Sequence, residues 1–159
     1  MAKLNSLEYK INIYTYNSEI PGGRTLSNLI QNSNFKSNTT ESWGSYGAMT
    51  LRSEPNINGK SAVQLISNGP NSYMYQFVPI VANNKYYFSF EYIKNNDSNI
   101  STFIEEGSPL IISERSNVWK RVSYDYTSSI TGSFTNFTVG KSPNTYNNTY
   151  FTNFMLINL

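Results

Sequence analysis

A run of aromatic residues at Lys85–Ile93 constrains the fold of this chain more than any other stretch. Its alternate positions are occupied by Tyr86, Phe88, Phe90 and Tyr92. Because successive side chains of a strand point to opposite faces, these four rings share one side of an extended chain. Aromatic residues suit a pleated surface, and the stretch offers no apolar stripe at helical spacing. It therefore predicts a half-buried β-strand, whose aromatic side lines either a core or a binding groove.

The rest of the chain repeats this pattern in short segments. Alternating apolar or aromatic residues predict further strands around residues 49–51, 63–65, 73–77, 100–104, 110–112, 119–126, 133–139 and 150–159. Clusters rich in Asn and Ser separate them, and these residues favour turns because their side chains bond to nearby backbone groups. No segment gives a convincing amphipathic helix. The sequence predicts an all-β fold, an antiparallel two-sheet β-sandwich of the jelly-roll type.

The N-terminal residues 1–23 are predicted to be separate from a sandwich domain over residues 24–159. Tyr9, Ile11 and Ile13 alternate with polar residues, and Pro-Gly-Gly at 21–23 breaks the chain as a linker. Two interpretations stay open. The segment is an edge strand of the same sandwich, or it is an extended arm that anchors the protein by strand addition to a partner or a neighbouring subunit.

Composition excludes several functional classes. The 159 residues contain neither Cys nor His, which removes disulfides, thiolate metal sites and the commonest catalytic base. A net charge of +2 with 14% charged residues gives no basic patch for nucleic acid. We find no apolar run long enough for a membrane helix and no signal-peptide pattern at the start. We expect a protein that is not an enzyme and that binds neither nucleic acid nor membrane.

The carboxylates support the same expectation. Glu105 and Glu106 are adjacent, so on a strand they face opposite sides and cannot serve as the acid and nucleophile of a glycosidase. Glu91 and Asp125 occupy outward positions of predicted strands, and a catalytic role would require them to meet in space. We predict no catalytic residue.

Four segments, in order, resemble carbohydrate-binding modules of the four/nine type. Asn-Leu-Ile-Gln-Asn-Ser-Asn-Phe at 28–35, followed by Trp43, is similar to the family's opening N-L-hydrophobic-x-N-G-D-F-E. Residues 84–90 are similar to its G-K-x-Y-x-x-S-F strand, residues 118–123 to its W-x-x-hydrophobic-S strand, and residues 151–156 to its closing hydrophobic-D-D-V-x-L. The resemblance covers residues 28–159. It implies a galactose-binding-like jelly roll that binds carbohydrate, with Trp119 in the core.

The departures from this family concern a metal. Where many members have acidic residues that help to hold a structural calcium ion, this chain has Asn34, Lys36, Thr152 and Asn153. Calcium prefers several oxygen ligands that include carboxylates. We expect no cofactor and no metal site, or at most calcium held weakly through carbonyls and amides.

Sugar recognition needs flat aromatic faces for the apolar side of a pyranose and polar groups for its hydroxyls. The predicted sugar-binding residues are Trp43, Tyr46, Tyr73, Tyr75, Gln76 and Tyr146, with Tyr150, Gln64, Arg52 and Glu91 as further candidates. In the competing interpretation these tryptophan and tyrosine rings pack the core or simply cover the sheet.

Two functions follow. The first is a structural or adhesion module on the surface of a bacteriophage virion, as a capsid decoration, head fibre or tail-fibre component. It would be made in the host cytoplasm, contact other virion proteins through residues 1–23, possess a domain exposed to host cell-surface or wall glycan, and be able to form homo-oligomers. The alternative is a free-standing carbohydrate-binding module of a polysaccharide-degrading enzyme.

Overall fold

A computed structural model describes residues 18–20, 24–67, 69, 72–96, 99–104, 110–129, 132–142 and 146–159. Within these ranges the chain forms strands and turns and no helix, so none of the described residues belongs to a helix that could cross a membrane. The strands are β1 Ser18–Ile20, β2 Arg24–Leu26, β3 Gly44–Tyr46, β4 Met49–Ile57, β5 Lys60–Ser67, β6 Ser72–Ile80, β7 Lys85–Lys94, β8 Ile100–Ile104, β9 Leu110–Ile112, β10 Ser116–Thr127, β11 Gly132–Ser142 and β12 Tyr146–Asn158.

Ten of these strands form two five-stranded antiparallel sheets. Sheet I has the order β10-β7-β12-β5-β4, and sheet II has the order β3-β6-β11-β8-β9. One hydrophobic cluster contains Phe90 and Val63 from sheet I together with Met74 and Val78 from sheet II. The two sheets therefore pack face to face around one core, and the predicted all-β sandwich is confirmed.

The aromatic strand that the sequence singled out is β7, the neighbour of both β10 and β12 in sheet I. Its rings at Tyr86, Phe88, Phe90 and Tyr92 are 0–2% exposed. Phe90 stacks on Phe154 with the ring centroids 5.6 Å apart. The aromatic side of this strand is therefore core and not groove.

Residues 28–35, the first segment of the resemblance, are bonded to the last strand, β12, through Asn28. The Asn28 carboxamide donates to the carbonyl of Phe154 at 2.9 Å and accepts from the amide of Leu156 at 2.9 Å. Two main-chain bonds extend the contact, from Leu29 to Leu156 and from Phe154 to Ser33. The residues that open and close the domain are thus held side by side.

The N-terminal strands form a sheet of their own. β1 pairs with β2 in antiparallel register, Ser18 with Leu26 and Ile20 with Arg24, and within the described residues this pair joins neither five-stranded sheet. The Pro-Gly-Gly stretch at 21–23 therefore lies between two paired strands. The predicted anchoring residues Tyr9, Ile11 and Ile13 lie outside the described residues.

The resemblance implied a core position for Trp119, and this prediction is wrong. Val122 and Tyr124 of β10 pack against the core, whereas Trp119 is half-buried on the outer side of sheet I. Its indole N–H donates to the carbonyl of Ile57 at 3.0 Å, and the Lys60 ammonium lies 5.6 Å from its ring centroid. The register of β10 is irregular between Ser116 and Lys120, and Lys60, which also pairs with Glu91, holds Trp119 on the outer side.

Candidate functional site

The outer side of sheet II carries a row of aromatic residues. On β6 the side chains of Met74, Gln76, Val78 and Ile80 are buried, so alternation directs Tyr73, Tyr75 and Phe77 away from the core. Tyr46 on β3 lies directly opposite Tyr73 and is 58% exposed, and Phe77 is 54% exposed. We call Tyr46, Tyr73, Tyr75 and Phe77 the aromatic face.

Tyr75 lies flat in the middle of this row. It is paired with Gly44 on β3, and a Cβ atom built on Gly44 would lie 2.5 Å from Cζ of Tyr75 and 2.9 Å from both its Cε1 and Cε2 atoms. The Cε distances are only 0.4 Å longer than the Cζ distance, which places the Cβ position over the face of the ring and not beyond its edge. One face of Tyr75 therefore rests on the backbone of β3, and the other is directed away from the sheet.

The neighbouring rings stand steeply to Tyr75. The Tyr73 ring is inclined at 65° to Tyr75 with the centroids 6.2 Å apart, and the Phe77 ring at 71° with the centroids 5.4 Å apart. We call this arrangement of three rings the slot, with Tyr75 as its floor and Tyr73 and Phe77 as its walls.

Tyr46 supports one wall of the slot. Its ring is stacked on Tyr73 with the centroids 5.0 Å apart and the planes 21° apart. Burial raises the pKa of Tyr73, and the neighbouring hydroxyls of Tyr46 and Tyr75 raise it further. The Tyr73 hydroxyl is therefore neutral at pH 7 and can both donate and accept hydrogen bonds.

Charge is distributed unevenly between the two sheets. In sequence the strands of sheet II include a single charged residue, Lys141 on β11. Those of sheet I include Arg52, Glu54, Lys60, Lys85, Glu91, Lys94, Lys120, Arg121 and Asp125. The aromatic face is therefore built on the weakly charged sheet, a surface suited to a neutral ligand with an apolar side.

Two predicted sugar-binding residues are turned into the protein. Trp43 is 8% exposed, and its ring contacts Phe154 with the centroids 4.9 Å apart. Gln76 is also buried, and its carboxamide bonds to the main chain of Gln31 and Ser42 just before β3. Neither side chain belongs to the aromatic face, because alternation and the packing before β3 direct both inward. Gln76 instead holds the segment that precedes β3 against β6.

The remaining predicted residues belong to the other sheet or are not described. Tyr150 accepts a hydrogen bond from Gln64 at 3.4 Å, and Gln64 is paired with Arg52. All three are on sheet I, as is Glu91, so the fold does not bring them to Tyr73 and Tyr75. Tyr146 is paired with Ser67 at the start of β12, and its side chain lies outside the described residues.

Glu91 is held in a polar cluster on the outer side of sheet I. Its carboxylate accepts from Lys60 at 2.5 Å, Asn153 at 2.7 Å and Arg121 at 3.2 Å. Asp125 is four residues further along β10 from Arg121, about 13 Å at the rise of a strand. Glu91 and Asp125 therefore do not share a cleft.

The residues at the positions that resemble calcium ligands form hydrogen bonds within the protein. The Thr152 hydroxyl donates to the carbonyl of Ser61 at 2.6 Å, and the Asn34 side chain accepts from the amide of Lys36 at 3.3 Å. Asn153 donates to Glu91. Among the described residues no group of three acidic side chains converges on a point that could hold a metal ion.

Sequence reasoning missed Phe77 of the aromatic face and Gly44 beneath it. Phe77 has the same parity as Tyr73 and Tyr75, so the alternation of β6 already contained the signal for it. Gly44 had no such signal, because its importance depends on the pairing of β3 with β6.

No protein-family model and no curated protein sequence matches this chain. Among solved structures, a family 22 xylan-binding domain from Paenibacillus barcinonensis gives a TM-score of 0.58 at 13% identity, covering 78% of this chain and 90% of that chain. A family 61 carbohydrate-binding module solved with β-1,4-galactotriose gives 0.56 at 17% identity, covering 83% and 99%.

The fold also occurs in a viral protein. The enzymatically active domain of tailspike protein 4 from bacteriophage CBA120 gives a TM-score of 0.56 at 12% identity, covering 81% of this chain and 21% of that chain. At such identities these similarities establish the fold alone, the β-sandwich that carbohydrate-binding modules share.

Proposed function

We propose that this protein is a non-catalytic glycan-binding module that binds a soluble, neutral polysaccharide chain on the aromatic face. The observation that carries this proposal is the slot, in which Tyr75 offers a flat ring between Tyr73 and Phe77. The apolar side of a pyranose stacks on such a ring, while tyrosine hydroxyls bond to its hydroxyl groups.

The ring angles favour a single chain over a crystalline surface. A flat crystal would need several ring faces in one plane, whereas the rings beside Tyr75 are inclined at 65° and 71° to it. A single chain can lie on the floor between the walls. The similar folds that bind xylan and β-1,4-galactotriose suggest β-1,4-linked chains as the first ligands to test.

Isothermal titration with xylohexaose and with β-1,4-galactotriose tests the proposal. We expect binding at micromolar to millimolar affinity, and we expect Tyr75→Ala to weaken it at least about tenfold through loss of the stacking contact. Tyr87→Ala is the matched control, because Tyr87 is on β7 of sheet I. Equal binding by wild type and Tyr75→Ala, or no binding of either sugar by wild type, contradicts the proposal.

For the biological setting we propose the surface of a bacteriophage virion, where many copies of a weak site raise avidity without new contacts. A similar fold occurs in part of a phage tailspike. The alternative, a module of a polysaccharide-degrading enzyme, is compatible with the same face, as the xylan-binding neighbour illustrates. Mass spectrometry of purified particles separates the two, since a virion protein must be detected there.

A further inference from the structure

Gly44 lies beneath the ring that forms the floor of the slot. It is directly paired with Tyr75 across the β3–β6 contact, and such cross-strand pairs project from the same face of a sheet. A side chain at position 44 would therefore point toward the Tyr75 ring. Its Cβ atom would lie 2.5 Å from Cζ of that ring, closer than any carbon–carbon contact allows.

We propose that Gly44 is a positioning residue for glycan binding, because the absence of its side chain lets Tyr75 lie flat on β3. This inference rests on the proposed function of the aromatic face. With any larger residue at position 44, the ring must lift or swing by roughly 1 Å to reach normal contact distance. The floor would then tilt toward Tyr73 or Phe77 and narrow the slot.

The backbone does not require glycine at this position. The described glycines with positive φ are Gly47 and Gly59, and Gly44 is not among them. The three atoms nearest to the added Cβ belong to the free end of the Tyr75 side chain and not to the main chain. Gly44→Ala should therefore displace one ring and leave the fold intact, which separates positioning from stability.

A direct measurement of the ring position does not depend on any ligand. A ring lying face-on over Gly44 shifts the Gly44 Hα resonances upfield in an NMR spectrum of the full chain, and it gives cross-relaxation between those protons and the Tyr75 ring. We expect Tyr75→Ala to abolish both signals. Normal Gly44 Hα shifts in the wild-type protein overturn the inference, whatever the protein binds.

The binding test uses Gly44→Ala with the same two sugars, xylohexaose and β-1,4-galactotriose. We expect an affinity loss of about tenfold or more with a melting temperature within about 4 °C of wild type. The double variant Gly44→Ala/Tyr75→Ala should bind as weakly as Tyr75→Ala alone, because the ring that Gly44 positions has been removed. Gly69→Ala is the control, since its Cβ would meet Ala48 at an ordinary 3.4 Å.

The outcomes distinguish this inference from the function on which it rests. If wild type binds and Gly44→Ala binds equally well, the positioning role is overturned while glycan binding stands. If wild type binds neither sugar, the proposed function fails and this inference fails with it. If Gly44→Ala reduces the affinity equally in wild type and in Tyr75→Ala, the positioning role is also overturned, because Gly44 would then act through another group.

Discussion

The carboxamide of Asn28 forms hydrogen bonds to the main chain of β12, as a neighbouring strand would. It bonds to Phe154 and Leu156, and its oxygen also accepts from the amide of Ile30 at 3.1 Å. Replacement by alanine leaves the main-chain groups at 154 and 156 without these partners, and each unsatisfied buried group is costly.

We expect Asn28→Ala to lower the free energy of unfolding by about 1–3 kcal/mol, measured by urea denaturation. Asn117→Ala is the control, because the Asn117 side chain is exposed on β10. That variant should differ from wild type by less than about 0.5 kcal/mol. Equal effects of the two substitutions would show that Asn28 is an ordinary loop residue.

Glu91 makes stability depend on pH. Burial raises the pKa of its carboxyl group, but the hydrogen bonds from Lys60 and Asn153 and the charges of Lys60 and Arg121 outweigh burial and lower it below the ordinary 4.5. A carboxyl whose pKa is lower in the folded state contributes stability above its unfolded pKa. That contribution is lost as the pH falls through the folded pKa.

We expect Glu91→Gln to be less stable than wild type at pH 7, with the difference shrinking as the pH falls below about 4.5. Thermal unfolding over a pH series measures it. Glu114→Gln removes an exposed ion pair with Lys120 and should have little effect throughout. A Glu91→Gln difference that stays constant with pH would refute the role of the ionised carboxylate.

At the level of elements, the two sides of β7 differ in the burial of their aromatic residues. Phe90 is fully buried, whereas Tyr87 on the opposite side is only partly buried. We expect Phe90→Ala to reduce the free energy of unfolding by about 3–5 kcal/mol and Tyr87→Ala by less than about 2 kcal/mol. Chemical denaturation of both variants measures this order, and the reverse order would contradict the observed direction of β7.

The strands could be predicted from sequence because alternation is a local property. The predicted stretches at 63–65, 73–77 and 100–104 all lie within observed strands. Sheet membership is not local. Tyr73 and Tyr150 look alike in sequence, and only the pairing of distant strands places one on sheet II and the other on sheet I. For the same reason Trp43 could not be assigned to the core, because the Phe154 that covers it is far away in sequence.

At the level of the whole molecule, the aromatic face lies on the sheet opposite to the one that carries most of the charged strand residues. The ion pairs of Glu91 with Lys60 and Arg121 lie on the outer side of sheet I, on the far side of the core from Tyr75. A ligand on sheet II therefore meets little charge from the described strands. This arrangement connects the composition, which is low in charge and rich in tyrosine, with the proposed binding of a neutral chain.

The boundary of the sandwich provides the last prediction. The β1–β2 pair joins neither five-stranded sheet within the described residues, whereas Asn28 and Leu29 bond to β12 and Ile30 is buried in the core. Removing residues 1–26 should therefore leave the melting temperature within about 4 °C of wild type. Removing residues 1–30 should lower it by about 6 °C or more, because it deletes the Asn28 bonds and the Ile30 side chain.

Differential scanning calorimetry of the two truncated proteins measures both shifts. Retained binding of xylohexaose by the protein lacking residues 1–26 would further show that the aromatic face is complete without β1 and β2. If the shorter deletion unfolds the protein, the N-terminal strands are part of the sandwich. If the longer deletion has no effect, the contacts of Asn28, Leu29 and Ile30 do not hold the closing strand.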